Sequence, residues 1–119
     1  MIGTERRRAP RVRVYRPVRL RKPSLPPVFE TLTKDLSLDG MRCLSPTWFP
    51  VSSDLNVELT LSDGEEPLSV TGRTMWFRVI PHSDQFEIGF SFQHMPTQTK
   101  RHLSSYLDRL AIKTTHILA

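Results

Sequence analysis

At 119 residues, with 38% hydrophobic and 24% charged side chains, the chain makes one domain with a modest core and is too rich in apolar residues to stay disordered throughout. No run of about 18 apolar residues occurs, and the arginine-rich amino terminus has no apolar segment behind it, which argues against a membrane span and a secretory signal and makes the cytoplasm the expected compartment. The net charge of +5 is uneven: residues 5–22 hold nine Lys/Arg and one acid, whereas the remaining residues carry eight basic and eleven acidic side chains.

Taken in chain order, residues 1–11 show no periodicity and are expected to form a flexible arginine-rich arm. From Val12 the pattern alternates, with Val12, Val14, Val18 and Leu20 on one face and Arg13, Arg19 and Arg21 between them; this predicts one strand, with Pro17 marking an edge or a bulge. A proline-rich loop, Lys22 to Pro27, precedes a strand at Phe29–Lys34. Asp35 to Gly40 reads as a strand-to-strand turn, after which Met41–Leu44 resumes as a strand. The loop from Ser45 to Pro50 leads into Leu55–Leu61, seven residues of clean alternation. Two further strands are predicted, a long one at Leu68–Val79 and another at Phe86–Phe92. Gly72 and Gly89 inside them suggest bulges or close backbone approach.

Only the end is helical by pattern. Leu103, Tyr106, Leu107 and Leu110 lie at i, i+3, i+4 and i+7, with Pro96 and Thr97 as start signals. About six short strands and one helix predict an all-β fold: a small antiparallel barrel with a helix packed against it, over residues 12–113, and a tail at 114–119. The exposed helix face and the Trp48-Phe49 loop are candidate contact surfaces.

Two stretches carry chemistry. The run Arg6-Arg7-Arg8-Ala9-Pro10-Arg11 offers guanidinium forks, which bond phosphate oxygens bidentately and also pair with the O6/N7 edge of guanine. On an extended arm Arg7 and Arg11 would stand about 13–14 Å apart, and a bent arm brings both onto one compact ligand. In Asp35-Leu36-Ser37-Leu38-Asp39-Gly40, a carboxylate can accept from the N1–H and N2 amine of guanine, Ser37 adds a small donor, and Gly40 permits positive φ or close approach. Taken singly, the second stretch is an ordinary Asx or Ser turn and the first a solvated tail or a nucleic-acid arm. Their conjunction points to an anionic ligand with purine-like edges. No Cys/His cluster has zinc-site spacing, the four histidines are scattered, and Cys43 lies in a strand without a basic activator, so no metal, cofactor or catalytic residue is expected and the chain is read as non-enzymatic.

Arg7-x-x-x-Arg11 followed by Asp35-x-Ser37-x-x-Gly40 resembles the paired signature of PilZ domains, bacterial receptors for cyclic di-GMP. The Gly72–Trp76 strand, the Ile88-Gly89-Phe90 strand and the terminal helix fall where that family places them. The resemblance implies a six-stranded antiparallel β-barrel of Greek-key type, with the arm folding over a ligand on the barrel surface. It further implies that Arg7 and Arg11 bind phosphates and guanine edges, and that Asp35, Ser37 and Gly40 hold one guanine. Arg6 and Arg8 flank the first motif arginine, and Trp76 could border the bases, although a tryptophan in an alternating strand is more often core. The expected output is altered contact with an unidentified downstream protein. Two other readings stay open: a single-stranded nucleic-acid-binding barrel, against which Phe29, Phe86, Phe90 and Phe92 are spaced as core residues, and a PilZ-like protein-interaction module that binds no ligand.

Overall fold

Alternation of apolar and polar residues drives the chain into antiparallel strands, because every second side chain can then reach a shared interior. The computed structural model describes residues 10–118, and in them the strands are β1 (Val12–Arg13), β2 (Pro17–Arg21), β3 (Val28–Leu36), β4 (Gly40–Ser45), β5 (Asp54–Leu59), β6 (Leu68–Val79) and β7 (Phe86–Gln93), followed by α1 (Thr97–Leu118). Six of them close into an antiparallel barrel in the order β3-β2-β5-β6-β7-β4 and back to β3, and β1 adds a two-residue strand beside β3. Val18, Leu20, Leu36, Met41, Leu55, Val57, Ile88 and Phe90 fill the interior, and Leu103, Tyr106 and Leu107 of α1 join the same core.

Several local expectations need correction. The single strand expected from Val12 is broken at Val14–Arg16, because the buried Thr33 hydroxyl donates to the Val14 carbonyl (2.6 Å) and accepts from Arg16 N–H (2.9 Å), replacing a regular ladder there. The strand expected to end at Leu61 stops at Leu59, although Leu61 is still buried. Phe90 is a core residue, but Phe29, Phe86 and Phe92 are only partly buried around it. The helix runs through Leu118, so residues 114–118, expected as a tail, continue it. The register shifts between Thr74 and Trp76, so the bulge of β6 falls at Met75, just past Gly72 and opposite Gly89.

Of the two reasons expected for a glycine at position 40, positive φ and close backbone approach, the second is the one observed. A Cβ there would stand 2.1 Å from the Phe90 carbonyl oxygen, so β4 lies against β7 too closely for any side chain. Gly64 is the converse case, with φ +86° and open space around it. Gly40→Ala is therefore expected to cost about 1–3 kcal/mol in urea denaturation, since backbone must move, and Gly64→Ala about 1 kcal/mol, from backbone strain alone. Equal losses would show that the β4–β7 approach relaxes freely.

Candidate functional site

Asp35 was expected in a turn, but it is the penultimate residue of β3, with Arg13 of β1 opposite on one side and Arg42 of β4 on the other. Its side chain points outward from the barrel yet is only 5% exposed, because arginines cover it. Arg11 donates Nη1–H to Oδ1 at 2.9 Å, and Arg42 donates Nε–H and Nη2–H to Oδ2 at 2.6 and 2.5 Å. The Asp35 hydrogen bond, with the nearby Asp35 and Glu87 charges, holds the Arg42 guanidinium above its ordinary pKa despite the opposing effect of burial. Together Arg11, Arg13, Asp35, Arg42 and Trp76 line an open cavity of about 440 Å³ on the outer wall. Trp76 is thus on the surface, not in the core. Its indole lies over Gly89, where a Cβ would come within 2.4 Å of the ring, so the glycine clears the floor on which the tryptophan rests.

Ser37 and Gly40 do not line this cavity; they close the β3–β4 hairpin that follows Asp35. The Ser37 hydroxyl accepts from the N–H groups of Asp39 (3.1 Å) and Gly40 (3.2 Å), and Ser37 N–H donates to the Gly40 carbonyl at 2.9 Å. Ser37 is buried and its hydroxyl is engaged in closing the β3–β4 hairpin, so in this state it works as a turn residue. The turn is tied to β7 by Phe92 N–H donating to the Asp39 carbonyl at 2.8 Å. The site residues Arg6, Arg7 and Arg8 lie outside the described residues.

A second carboxylate extends the wall. Glu87 of β7 is 1% exposed and accepts from Lys34 (3.0 Å), Arg78 (2.6 Å) and Arg42 (3.4 Å). Arg42 thereby bridges the two acids. Burial pushes the Glu87 pKa up, but hydrogen bonds from Lys34 and Arg78 and their charges outweigh it and hold the carboxyl below its ordinary value. Cys43, facing the interior behind Arg42, is buried, and desolvation, then the Glu87 charge, pushes its thiol up to about 12.

With this geometry described, the comparison with known proteins is direct. The profile of the PilZ domain family matches residues 5–109. The chain belongs to that family. Several solved structures share its fold. The PilZ domain with c-di-GMP of YcgR from Escherichia coli superposes with a TM-score of 0.72 at 17% identity, covering 95% of this chain and 97% of that one. The K. pneumonia MrkH–c-di-GMP complex gives 0.77 at 18% identity over 92% of this chain and 54% of MrkH. Bacillus subtilis MotI/DgrA, an inhibitor of motility, gives 0.75 at 15% identity over 91% and 52%. The present chain therefore spans about half the length of MrkH and MotI/DgrA. No curated protein matches it in sequence.

Sequence reasoning placed Arg11 and Asp35 in one PilZ site and left out Arg13, Arg42, Lys34, Arg78 and Glu87. Alternation alone puts Arg42 outside, between the interior-facing Met41 and Cys43. What it lacks is the strand pairing that carries Arg42 onto both Asp35 and Glu87. Because the folded-state pKa of Glu87 is depressed, its stabilisation is complete above the unfolded glutamate value of about 4.3 and is lost as pH falls through the folded value. Glu87→Gln is expected to lower stability by roughly 1–3 kcal/mol at pH 7 and to flatten the acid-side loss. Urea titrations at pH 7 and pH 3 check this, and unchanged pH dependence in the variant would remove the role.

Proposed function

We propose that this PilZ domain is a non-enzymatic receptor for cyclic di-GMP, seated on the outer wall of the barrel between the arginine arm and Trp76. The observation that carries the reading is the Asp35 carboxylate, held outward with one arginine on each oxygen at the floor of an open, cation-lined cavity. A guanine presents two N–H donors on one edge, and a fixed carboxylate accepts both. In the structure Arg11 and Arg42 occupy those acceptor sites. A guanine arriving at Asp35 takes the place of Arg11, whose fork is then free to bond a phosphate.

Arg7, with Arg6 and Arg8 as flanking cations, supplies further guanidinium groups from the arm, and Arg13 adds one from β1. Trp76 offers an indole face beside the carboxylate for a base to stack on. Ser37 and Gly40 serve by holding the hairpin that positions Asp35, with the hydroxyl available should the turn open. Closing of the arm over the ligand alters the surface presented to an unidentified downstream protein. The relatives support the ligand: the YcgR PilZ domain and MrkH are both described in complex with c-di-GMP. The nucleic-acid alternative needs a row of stacking aromatics on one sheet face, whereas Trp76 and Phe77 alternate to opposite faces of β6.

Isothermal titration calorimetry with cyclic di-GMP tests the reading. Each charge-assisted bond is worth about 1.5–3 kcal/mol, so Arg7→Ala, Arg11→Ala and Asp35→Asn should each weaken binding by about ten- to hundredfold, with circular dichroism unchanged. Arg42→Ala should weaken it less than Asp35→Asn, because it loosens the carboxylate without removing it. Wild-type-like affinity in all four would overturn the assignment. Steep loss of binding with added salt and a dependence on oligonucleotide length would favour the nucleic-acid reading instead.

A further inference from the structure

Barrel closure pairs most strand edges, and among the described residues one apolar stretch of β6 keeps a neighbour on one side only. Its pairing with β5 covers Leu68–Arg73, and Ser52 and Ser53 bond the backbone of Thr74. From Met75 to Val79, β6 pairs with β7 alone among the described residues. Ile80 N–H donates to the Gln85 carbonyl at 3.1 Å, so antiparallel alternation turns the backbone groups of Trp76 and Arg78 toward β7 and those of Phe77 and Val79 outward. Side chains alternate too. Trp76 and Arg78 lie on the outer face, over Gly89 and Glu87, while Phe77 lies on the other with its ring 5.2 Å from Trp48. Met75 is 53% exposed, Phe77 37% and Val79 61%. An apolar strand with outward-facing backbone donors and acceptors is a template for one more strand.

We propose that this edge pairs antiparallel with the same edge of a second copy of the chain, about a twofold axis at Phe77, so that one sheet runs through two barrels. The residues select both the occupant and the register. With the axis at Phe77, the two Phe77 residues exchange N–H···O=C bonds, and Arg78 of each copy faces Trp76 of the other, a cation against an aromatic face. An axis at Arg78 sets two like charges opposite each other, and an axis at Val79 sets Phe77 against Pro81, which has no N–H to give. Charge also favours a second copy over an acidic peptide. Arg73 is already paired with Asp54 and Arg78 with Glu87, so the edge is locally neutral, and the chain's excess of cations lies in residues 5–22.

The intact chain tests this. Sedimentation equilibrium over a wide concentration range should show a reversible dimer, and concentration-dependent amide shifts in the wild-type chain should centre on Phe77 and Val79. Phe77→Cys should cross-link to its copy under mild oxidation, the Cα atoms being roughly 5.5 Å apart across the axis. Val79→Cys, four residues out of register with itself and roughly 14 Å from its copy, should not. The native Cys43 is buried and stays silent. A chain that remains monomeric throughout, amide shifts confined to the helix or the arm, or a Val79→Cys that links as readily as Phe77→Cys overturns the pairing. Should Phe77→Cys fail to fold, the wild-type amide shifts decide.

Discussion

Removing a carboxylate from water costs several kcal/mol unless other groups replace its hydration. Asp35 and Glu87 are both covered on the outer wall of this barrel, and cations drawn from separate segments do the replacing. Arg11 reaches Asp35 from just before β1, Lys34 reaches Glu87 from β3, Arg78 from β6, and Arg42 of β4 touches both acids. None of these pairs forms unless β1, β3, β4, β6 and β7 hold their observed register. The two acids therefore lock together the strands that make the proposed binding wall. Such a network adds less to net stability than its geometry suggests, because breaking even against hydration is most of what each pair achieves. Its contribution is to fix one carboxylate in one orientation.

That orientation shapes how a ligand would be recognised. A free carboxylate exchanges water for guanine at little gain, whereas on the proposed reading Asp35 would give up its bond to Arg11 for the base. The exchange is favourable when the displaced guanidinium immediately finds a phosphate, which a guanine nucleotide supplies and a free base does not. On that reading discrimination would rest on a ligand meeting both conditions at once: two aligned N–H donors for Asp35 and an anion within reach of Arg11. A mismatch leaves buried polar groups without partners, the situation in which binding sites reject analogues most strongly.

Much of this was legible in the chain. Alternation located the strands because one face of each must be buried, and the apolar stripe of Leu103, Tyr106 and Leu107 located the helix for the same reason. The paired motifs Arg7-x-x-x-Arg11 and Asp35-x-Ser37-x-x-Gly40 pointed to the wall on which Arg11 and Asp35 meet. Legibility stopped where the cause was non-local. The break at Val14–Arg16 depends on a hydroxyl at Thr33, 17 residues from Arg16. The backbone that Gly40 approaches is a carbonyl of β7, and Trp76 is outside the core because the bulge at Met75 resets the phase of β6. Arg42 and Glu87 are ordinary polar positions in alternating strands until pairing brings them within 3.4 Å. Periodicity reports which face a residue is on, and only topology reports who shares it.

The mismatch in strand lengths has a consequence of the same non-local kind. β6 is twelve residues long and its neighbour β5 six, so once β5 ends, the remainder of β6 is carried by β7 alone. In that remainder successive residues serve opposite sides: Trp76 borders the carboxylate cavity and Phe77 borders the open edge. A strand cannot move one residue without moving the next, because neighbouring side chains are projected from a single pleated backbone. Any adjustment of β6 that seats a base against Trp76 therefore also repositions the backbone groups that Phe77 turns outward. The surface offered to another molecule is physically continuous with the wall that would hold the nucleotide, with no relay of side chains between them.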